Sequence, residues 1–202
     1  MVERYLINKI QDALTDRMVF ISGARQVGKT TLANYIGKQF FKGKQAYFSW
    51  DSDKDRKAVL SEKFPADAEC VILDEVHKFR KWKNLIKGIF DKNRDRFKII
   101  VTGSARLDIF RKGGDSLLGR YRHFRLHPFS LNELGGGRCA VIPGAKPEFP
   151  PVSNAVSAKF SALLKYGGFP EVFSRKSDTF LRQWHNERKN LLVKEDIRDI
   201  EG

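Results

Sequence analysis

Met18-Val19-Phe20-Ile21-Ser22-Gly23-Ala24-Arg25-Gln26-Val27-Gly28-Lys29-Thr30-Thr31 is the stretch that decides the fold. Met18 to Ser22 is an apolar run closed by a small hydroxyl, the composition of a strand buried on both faces of a parallel sheet. From Gly23 to Thr30 every position satisfies the Gly-x-x-x-x-Gly-Lys-Ser/Thr spacing. Glycines there let main chain approach phosphate oxygens that a Cβ would hold away. A helix starting near Lys29 turns its free N–H groups and positive dipole end on the same anion. The pattern predicts a nucleoside-triphosphate cradle of Gly23, Ala24, Arg25, Gln26, Val27, Gly28, Lys29, Thr30 and Thr31. Lys29 is expected to reach the β- and γ-phosphates, with the Thr30 hydroxyl on a magnesium ion. Arg25 is expected to point outward, with no catalytic role.

The flanking sequence repeats the alternation. Leu6, Ile10, Ala13 and Leu14 have helical spacing over 4–14, and Leu32, Ile36 and Phe40 mark one side of the helix after the glycine loop. Gln45 to Trp50, Glu69 to Leu73, Phe97 to Thr102 and Tyr121 to Leu126 read as four more strands. Trp82, Leu85, Ile86, Ile89 and Phe90 set a helix between the third and fourth. Strands alternating with helices predict an α/β domain, a parallel sheet covered on both faces. Gly135-Gly136-Gly137 and Pro143, Pro147, Pro150 and Pro151 break this pattern and predict a linker over 135–152. Beyond it come a helix at 153–165, a turn at Tyr166-Gly167-Gly168-Phe169-Pro170 and a helix over about 178–198. The expected organisation is thus a core at 1–134, a linker, and the start of a helical region at 153–202.

Val71-Ile72-Leu73-Asp74-Glu75 brings two carboxylates to the end of an apolar strand. Asp74 there is placed to hold the magnesium shell, and Glu75 to polarise an attacking water as a general base. A base for water favours hydrolysis over transfer to a small acceptor. Thr102-Gly103-Ser104 follows another strand, and in such sheets the carboxyl ends of strands converge on the ligand. Thr102 or Ser104 is therefore a candidate contact to the γ-phosphate or the water, although Ser104 also suits a helix cap. His77 could reach Glu75 but reads first as a surface residue at a helix start. His123, His127 and His185 share no metal spacing.

Composition narrows the classes. With 41% hydrophobic residues and 16 Phe the chain is globular. No apolar run approaches the roughly 18–20 residues of a membrane span, and the polar Met1-Val2-Glu3-Arg4-Tyr5 start does not open a signal peptide. A cytoplasmic protein is expected. Cys70 and Cys139 form no ligand pair, and Cys70 reads as a buried core thiol. The net charge of +14 is concentrated over 76–125, with 15 Lys/Arg against 4 Asp/Glu, which suits nucleic acid or an acidic protein. A solvated basic helix face is the plainer reading of the same stretch.

The glycine loop, Asp74-Glu75, Thr102-Gly103-Ser104-Ala105-Arg106, and Leu117-Leu118-Gly119-Arg120 running into Leu126-His127-Pro128-Phe129-Ser130-Leu131-Asn132-Glu133 together resemble one family. It is the prokaryotic AAA+ superfamily ATP-binding proteins, whose ATPase core precedes a C-terminal domain of unknown function. The resemblance covers about residues 1–134, while Tyr166-Gly167-Gly168-Phe169-Pro170-Glu171 and Glu195-Asp196-Ile197 resemble the opening of the second domain. It implies a P-loop NTPase sheet of the ASCE type and a chain truncated within that second domain. It implies ATP rather than GTP, with Lys29 and Thr30 on the nucleotide, Asp74 with magnesium, Glu75 catalytic, Ser104 a sensor and Arg120 a phosphate-sensing or finger arginine. A finger arginine supplied by a neighbour would require a homo-oligomer. The leading expectation is a magnesium-dependent ATPase coupled to the attached domain. A nucleotide-dependent switch binding nucleic acid with little hydrolysis is the alternative, and a small-molecule kinase a distant third.

Overall fold

The computed structural model describes residues 2–104, 117–135 and 153–191. Residues 3–127 form one compact unit and residues 128–202, with Val2, another. The first unit orders as α1 (Ile7–Ala13), β1 (Met18–Gly23), α2 (Lys29–Phe40), β2 (Gln45–Ser49), α3 (Asp53–Leu60), β3 (Cys70–Asp74), a 3-10 turn (Val76–Lys78), α4 (Trp82–Asn93), β4 (Lys98–Thr102) and β5 (Tyr121–Leu126).

The five strands form one parallel sheet in the order β2-β3-β4-β1-β5. Every residue of β1 and β3 is buried, which is why both read as unbroken apolar runs. The outer strands β2 and β5 are partly exposed and carry Tyr47, Arg122, His123 and Arg125, the polar character that protects a sheet edge. Alternation across each strand sorts the core. Met18, Phe20, Val71, Leu73, Ile99 and Val101 meet Trp82, Ile86 and Ile89 of α4 in one cluster. Leu32, Ala33 and Ile36 of α2 are buried against the sheet as well.

Helix α3 is an element to which the sequence reading assigns nothing. Its signal is local: Ser52 Oγ accepts the Asp55 N–H at 3.3 Å as N-cap, and Asp53 and Asp55 sit in the first turn. Asp55 also accepts the Ser49 N–H at 3.0 Å, tying the helix to the end of β2.

The second unit holds α5 (Leu131–Gly135), α6 (Asn154–Tyr166), α7 (Pro170–Arg175) and α8 (Asp178–Leu191). Ser130 and Glu133 cap each other's N–H groups at α5, at 3.2 and 3.1 Å. The expected turn at 166–170 leads into α7, a helix the sequence reading left out, with Pro170 in its first turn. Gly168 admits no side chain, because a Cβ would stand 2.5 Å from the Phe129 carbonyl oxygen. Residues 136–152, most of the expected linker, and 192–202 lie outside the described residues, as do Ala105 and Arg106. No helix among the described residues is long and apolar enough to cross a membrane.

Candidate functional site

The site is built where β1, β3 and β4 end together. Register pairs Asp74 with Thr102, and Gly103 N donates to Ile21 O at 3.2 Å, so three central strands stop at one edge. The glycine loop leaves β1 there. Gly23 has φ +149° and its missing Cβ would collide with the Leu126 carbonyl oxygen. Gly28, the N-cap of α2, has φ 96°. These two glycines shape the loop, since either position would strain an ordinary residue.

Lys29 is 7% exposed, and its ammonium folds back to donate to Gly23 O at 3.1 Å and Ala24 O at 3.0 Å. Burial holds its pKa below the ordinary lysine value, opposed by the nearby Glu75 and Asp74 carboxylates. The cation is therefore held by two neutral carbonyls inside its own loop, which a phosphate oxygen would replace with a charged acceptor. Val27 is buried beneath the loop, Ala24 and Arg25 are half-buried, and Gln26 (φ 63°) and Thr31 are exposed.

Asp74 collects three hydroxyls. Thr30 Oγ1 donates to its Oδ2 at 3.0 Å, Tyr47 Oη to the same oxygen at 2.7 Å, and Thr102 Oγ1 to Oδ1. Each donor stands on a different element: α2, β2 and β4. Burial, followed by the bond to Asp74, raises the Tyr47 phenol's pKa, so it stays a donor. Tyr47 is a residue the sequence reading missed; an aromatic on an edge strand gives no local sign of this contact. The donor set around Asp74 and Thr30 is all oxygen, the ligand class that magnesium takes, so the residues present fit that cation.

Glu75 follows in the left-handed region, at φ 57°, with its N–H bonded to Thr102 O at 2.9 Å. A non-glycine residue in that region is uncommon and costs of order 1 kcal/mol. Its side chain is 24% exposed, and burial, then the Asp74 charge, push its pKa above the ordinary glutamate value against Lys29 and Lys78.

His77 corrects an expectation. Its side chain is 4% exposed rather than on the surface, with Nε2 3.5 Å from Glu75 Oε2 and 3.3 Å from Ser104 Oγ. The 3-10 turn Val76–Lys78 folds the chain back sharply enough to bury it.

Arg120 is not brought to this edge within the chain. Its carbonyl accepts the Met18 N–H at 2.9 Å, at the opposite, amino-terminal end of β1. Because β1 and β5 run parallel, the length of a six-residue strand, roughly 17 Å, separates it from the glycine loop. Its guanidinium instead grips Asp91 of α4 at 2.8 and 3.2 Å. Other cations of the basic stretch also have partners within the chain, in exposed surface pairs: Lys78 with Asp51 at 2.6 Å and Lys92 with Glu62 at 2.8 Å.

A central β1 flanked by β4 and β5, a glycine loop capping α2, and an acidic residue at the end of β3 define a P-loop domain of the AAA+ ATPase class. Residues 15–135 match the family model described as an AAA domain. The match covers more than half of the chain, and the chain belongs to that family. An uncharacterized protein of Haemophilus influenzae is 26% identical over 186 residues, an alignment covering 84% of this chain and 44% of the relative. The chain thus spans less than half the length of that relative. The structure of AMPPCP-bound DnaA from Aquifex aeolicus is similar with a TM-score of 0.53 at 14% identity, covering 96% of this chain and 64% of that one. The RuvB Holliday junction branch migration motor of Thermotoga maritima gives 0.45 at 20% identity, over 67% of this chain and 49% of that one. At 14% identity the first likeness is one of fold.

Proposed function

We propose that this chain binds ATP with magnesium and hydrolyses the β–γ anhydride, coupling the cycle to movement of an attached C-terminal region. The observation that carries the reading is the convergence of Lys29, Thr30, Asp74 and Glu75 on one sheet edge. Lys29 exchanges the Gly23 and Ala24 carbonyls for phosphate oxygens, while the loop amides and the start of α2 bind the rest of the anion. Thr30 and Asp74 would hold the cation, with the Tyr47 and Thr102 hydroxyls orienting the carboxylate. Magnesium, when bound, draws charge off the β- and γ-phosphate oxygens. Glu75 takes a proton from the attacking water as its oxygen bonds to the γ-phosphorus and the bond to the leaving oxygen of the diphosphate breaks. A carboxylate raised by burial is a better base than an exposed one. Ser104 lies beside this carboxylate through His77 and is read as the sensor of nucleotide state. Arg120, on the far edge of its own sheet, can serve only a neighbouring subunit's nucleotide, which makes a homo-oligomer part of the proposal. So is a cytoplasmic location, where the free, buried Cys70 thiol is at home.

The test is Glu75→Gln. Removing the base is expected to lower phosphate release by about 10²–10⁴-fold, with ATP affinity kept within a few fold. Turnover at the wild-type rate would refute the role of Glu75 and, with it, the hydrolytic reading.

The basic stretch at 76–125 motivates the second reading, a nucleotide-dependent binder of nucleic acid or of an acidic protein. The surface pairs that Lys78, Lys92 and Arg120 make within the chain reduce the charge left to such a partner, which is why hydrolysis comes first. Single- or double-stranded DNA binding whose logarithm falls linearly with the logarithm of salt would favour the second reading.

A further inference from the structure

The His77 side chain reaches both the residue read as the base and the residue read as the sensor. Glu75 stands one residue beyond the end of β3 and Ser104 two residues beyond the end of β4, and a single ring nitrogen, His77 Nε2, lies 3.5 Å from the carboxylate of the first and 3.3 Å from the hydroxyl of the second. The ring is held there by its neighbours rather than by chance rotamer choice. Lys78 N and Phe79 N close the turn onto Glu75 O and Val76 O at 3.1 and 3.0 Å. Phe79 stacks on Trp50 with ring centroids 5.2 Å apart, and Val76 is buried in the core. A turn anchored on both sides leaves the imidazole little room to swing away. Neutral imidazole carries one donor and one acceptor nitrogen. With hydrogen on Nε2 the ring donates toward the Glu75 carboxylate; with Nε2 bare it accepts the Ser104 O–H. One atom thereby makes the orientation of the carboxylate depend on where the Ser104 hydroxyl points.

We propose that His77 is a positioning residue of the hydrolytic site: it holds the Glu75 carboxylate in the orientation that meets water and ties that orientation to Ser104. This rests on the reading of Glu75 as base. The ring carries no proton to or from substrate; its effect passes through Glu75.

The experiment compares His77→Leu, His77→Gln, Ser104→Ala and the double variant His77→Leu/Ser104→Ala with wild type and Glu75→Gln, all in the full chain. His77→Leu keeps the bulk and loses the polar atom, and is expected to lower kcat about 10–100-fold, the range seen when an outer partner that orients an active group is removed. Affinity for ATP, read with a fluorescent analogue, should stay within threefold of wild type. The glutamine amide can both donate and accept, so His77→Gln should recover at least a third of the wild-type kcat. Ser104→Ala should cost less when added to His77→Leu than when made in wild type, since the part of its effect that runs through His77 is already lost. A readout free of turnover is the His77 Nε2 resonance in nucleotide-free protein, which Glu75→Gln and Ser104→Ala should each move. An unchanged kcat in His77→Leu, a His77→Gln no better than His77→Leu, multiplicative losses in the double variant, or an Nε2 resonance indifferent to both partners would each overturn the proposal. If His77→Leu does not fold, the resonance and the Ser104→Ala, His77→Gln pair decide alone. Loss of turnover in Glu75→Gln with none in His77→Leu sinks only the role of His77. Wild-type turnover in Glu75→Gln sinks the base itself.

Discussion

Thr102 on β4 donates its hydroxyl hydrogen to Asp74 Oδ1, and the parallel register of β3 and β4 sets these two residues directly opposite each other. Thr102 is wholly buried, and its backbone carbonyl simultaneously takes the Glu75 N–H. One residue thus orients the carboxylate assigned to the cation and pins the backbone of the next. Replacing it by Val keeps the shape and removes the donor. A buried acceptor left short of a partner costs about 1–3 kcal/mol, so Thr102→Val should lose that much in urea unfolding. It should also raise the magnesium concentration needed for tight ATP binding. Full stability together with an unaltered magnesium requirement would show that the contact does no orienting.

Lys29→Met tests the cradle. The ammonium now bonds the neutral Gly23 and Ala24 carbonyls, whereas phosphate supplies charge-assisted bonds of about 1.5–3 kcal/mol. The variant should bind ATP at least about tenfold more weakly. Without nucleotide its melting temperature should change little, because a buried cation with a burial-lowered pKa contributes little to the empty fold. Isothermal titration and thermal melts read the two effects separately.

Gly23 and Gly88 make opposite predictions for the same substitution. At Gly23 an added methyl strikes the Leu126 carbonyl in a backbone conformation L residues rarely adopt, so Gly23→Ala should cost about 2 kcal/mol or more through strain and overpacking together, and abolish nucleotide binding. Gly88 lies within α4, and nothing stands within 4 Å of its missing Cβ. There Ala should stabilise by about 1 kcal/mol through helix propensity. A Gly88→Ala variant less stable than wild type would contradict this account of α4.

Cys70 sits wholly buried at the start of β3, and burial pushes its thiol up to about 12. Thiolate is the reactive form, and at pH 7–8 the native protein holds almost none. In a Cys139→Ser background, maleimide should label Cys70 only as fast as the domain opens, with labelling rising steeply in urea. Labelling in seconds under native conditions would mean that β3 is not closed over.

The strand–loop–helix at Met18 to Phe40 and the acidic end of β3 were legible because their signals are local. An apolar run, a glycine spacing and a 3.6-residue periodicity need no knowledge of distant chain. Helix α3 was equally local, in Ser52 and the aspartates Asp53 and Asp55, yet with Val59 as its buried residue it carries no hydrophobic periodicity.

The sequence by itself determined that a triphosphate-binding loop joins a buried strand to a helix, and that Asp74-Glu75 ends another buried strand. Tertiary structure alone decided which side chains surround them. Setting β1 between β4 and β5, and β3 between β2 and β4, gives Asp74 its hydroxyls from Tyr47, Thr30 and Thr102 and encloses His77 beside Glu75. The same parallel order sends Arg120 to the far end of the sheet, where it meets Asp91. Pairing between strands that the sequence separates by 25 residues (Gln45 with Cys70) or 103 (Met18 with Tyr121) is a property of the collapsed chain, in which burial of both sheet faces selects order and register, and spacing along the sequence carries no trace of it.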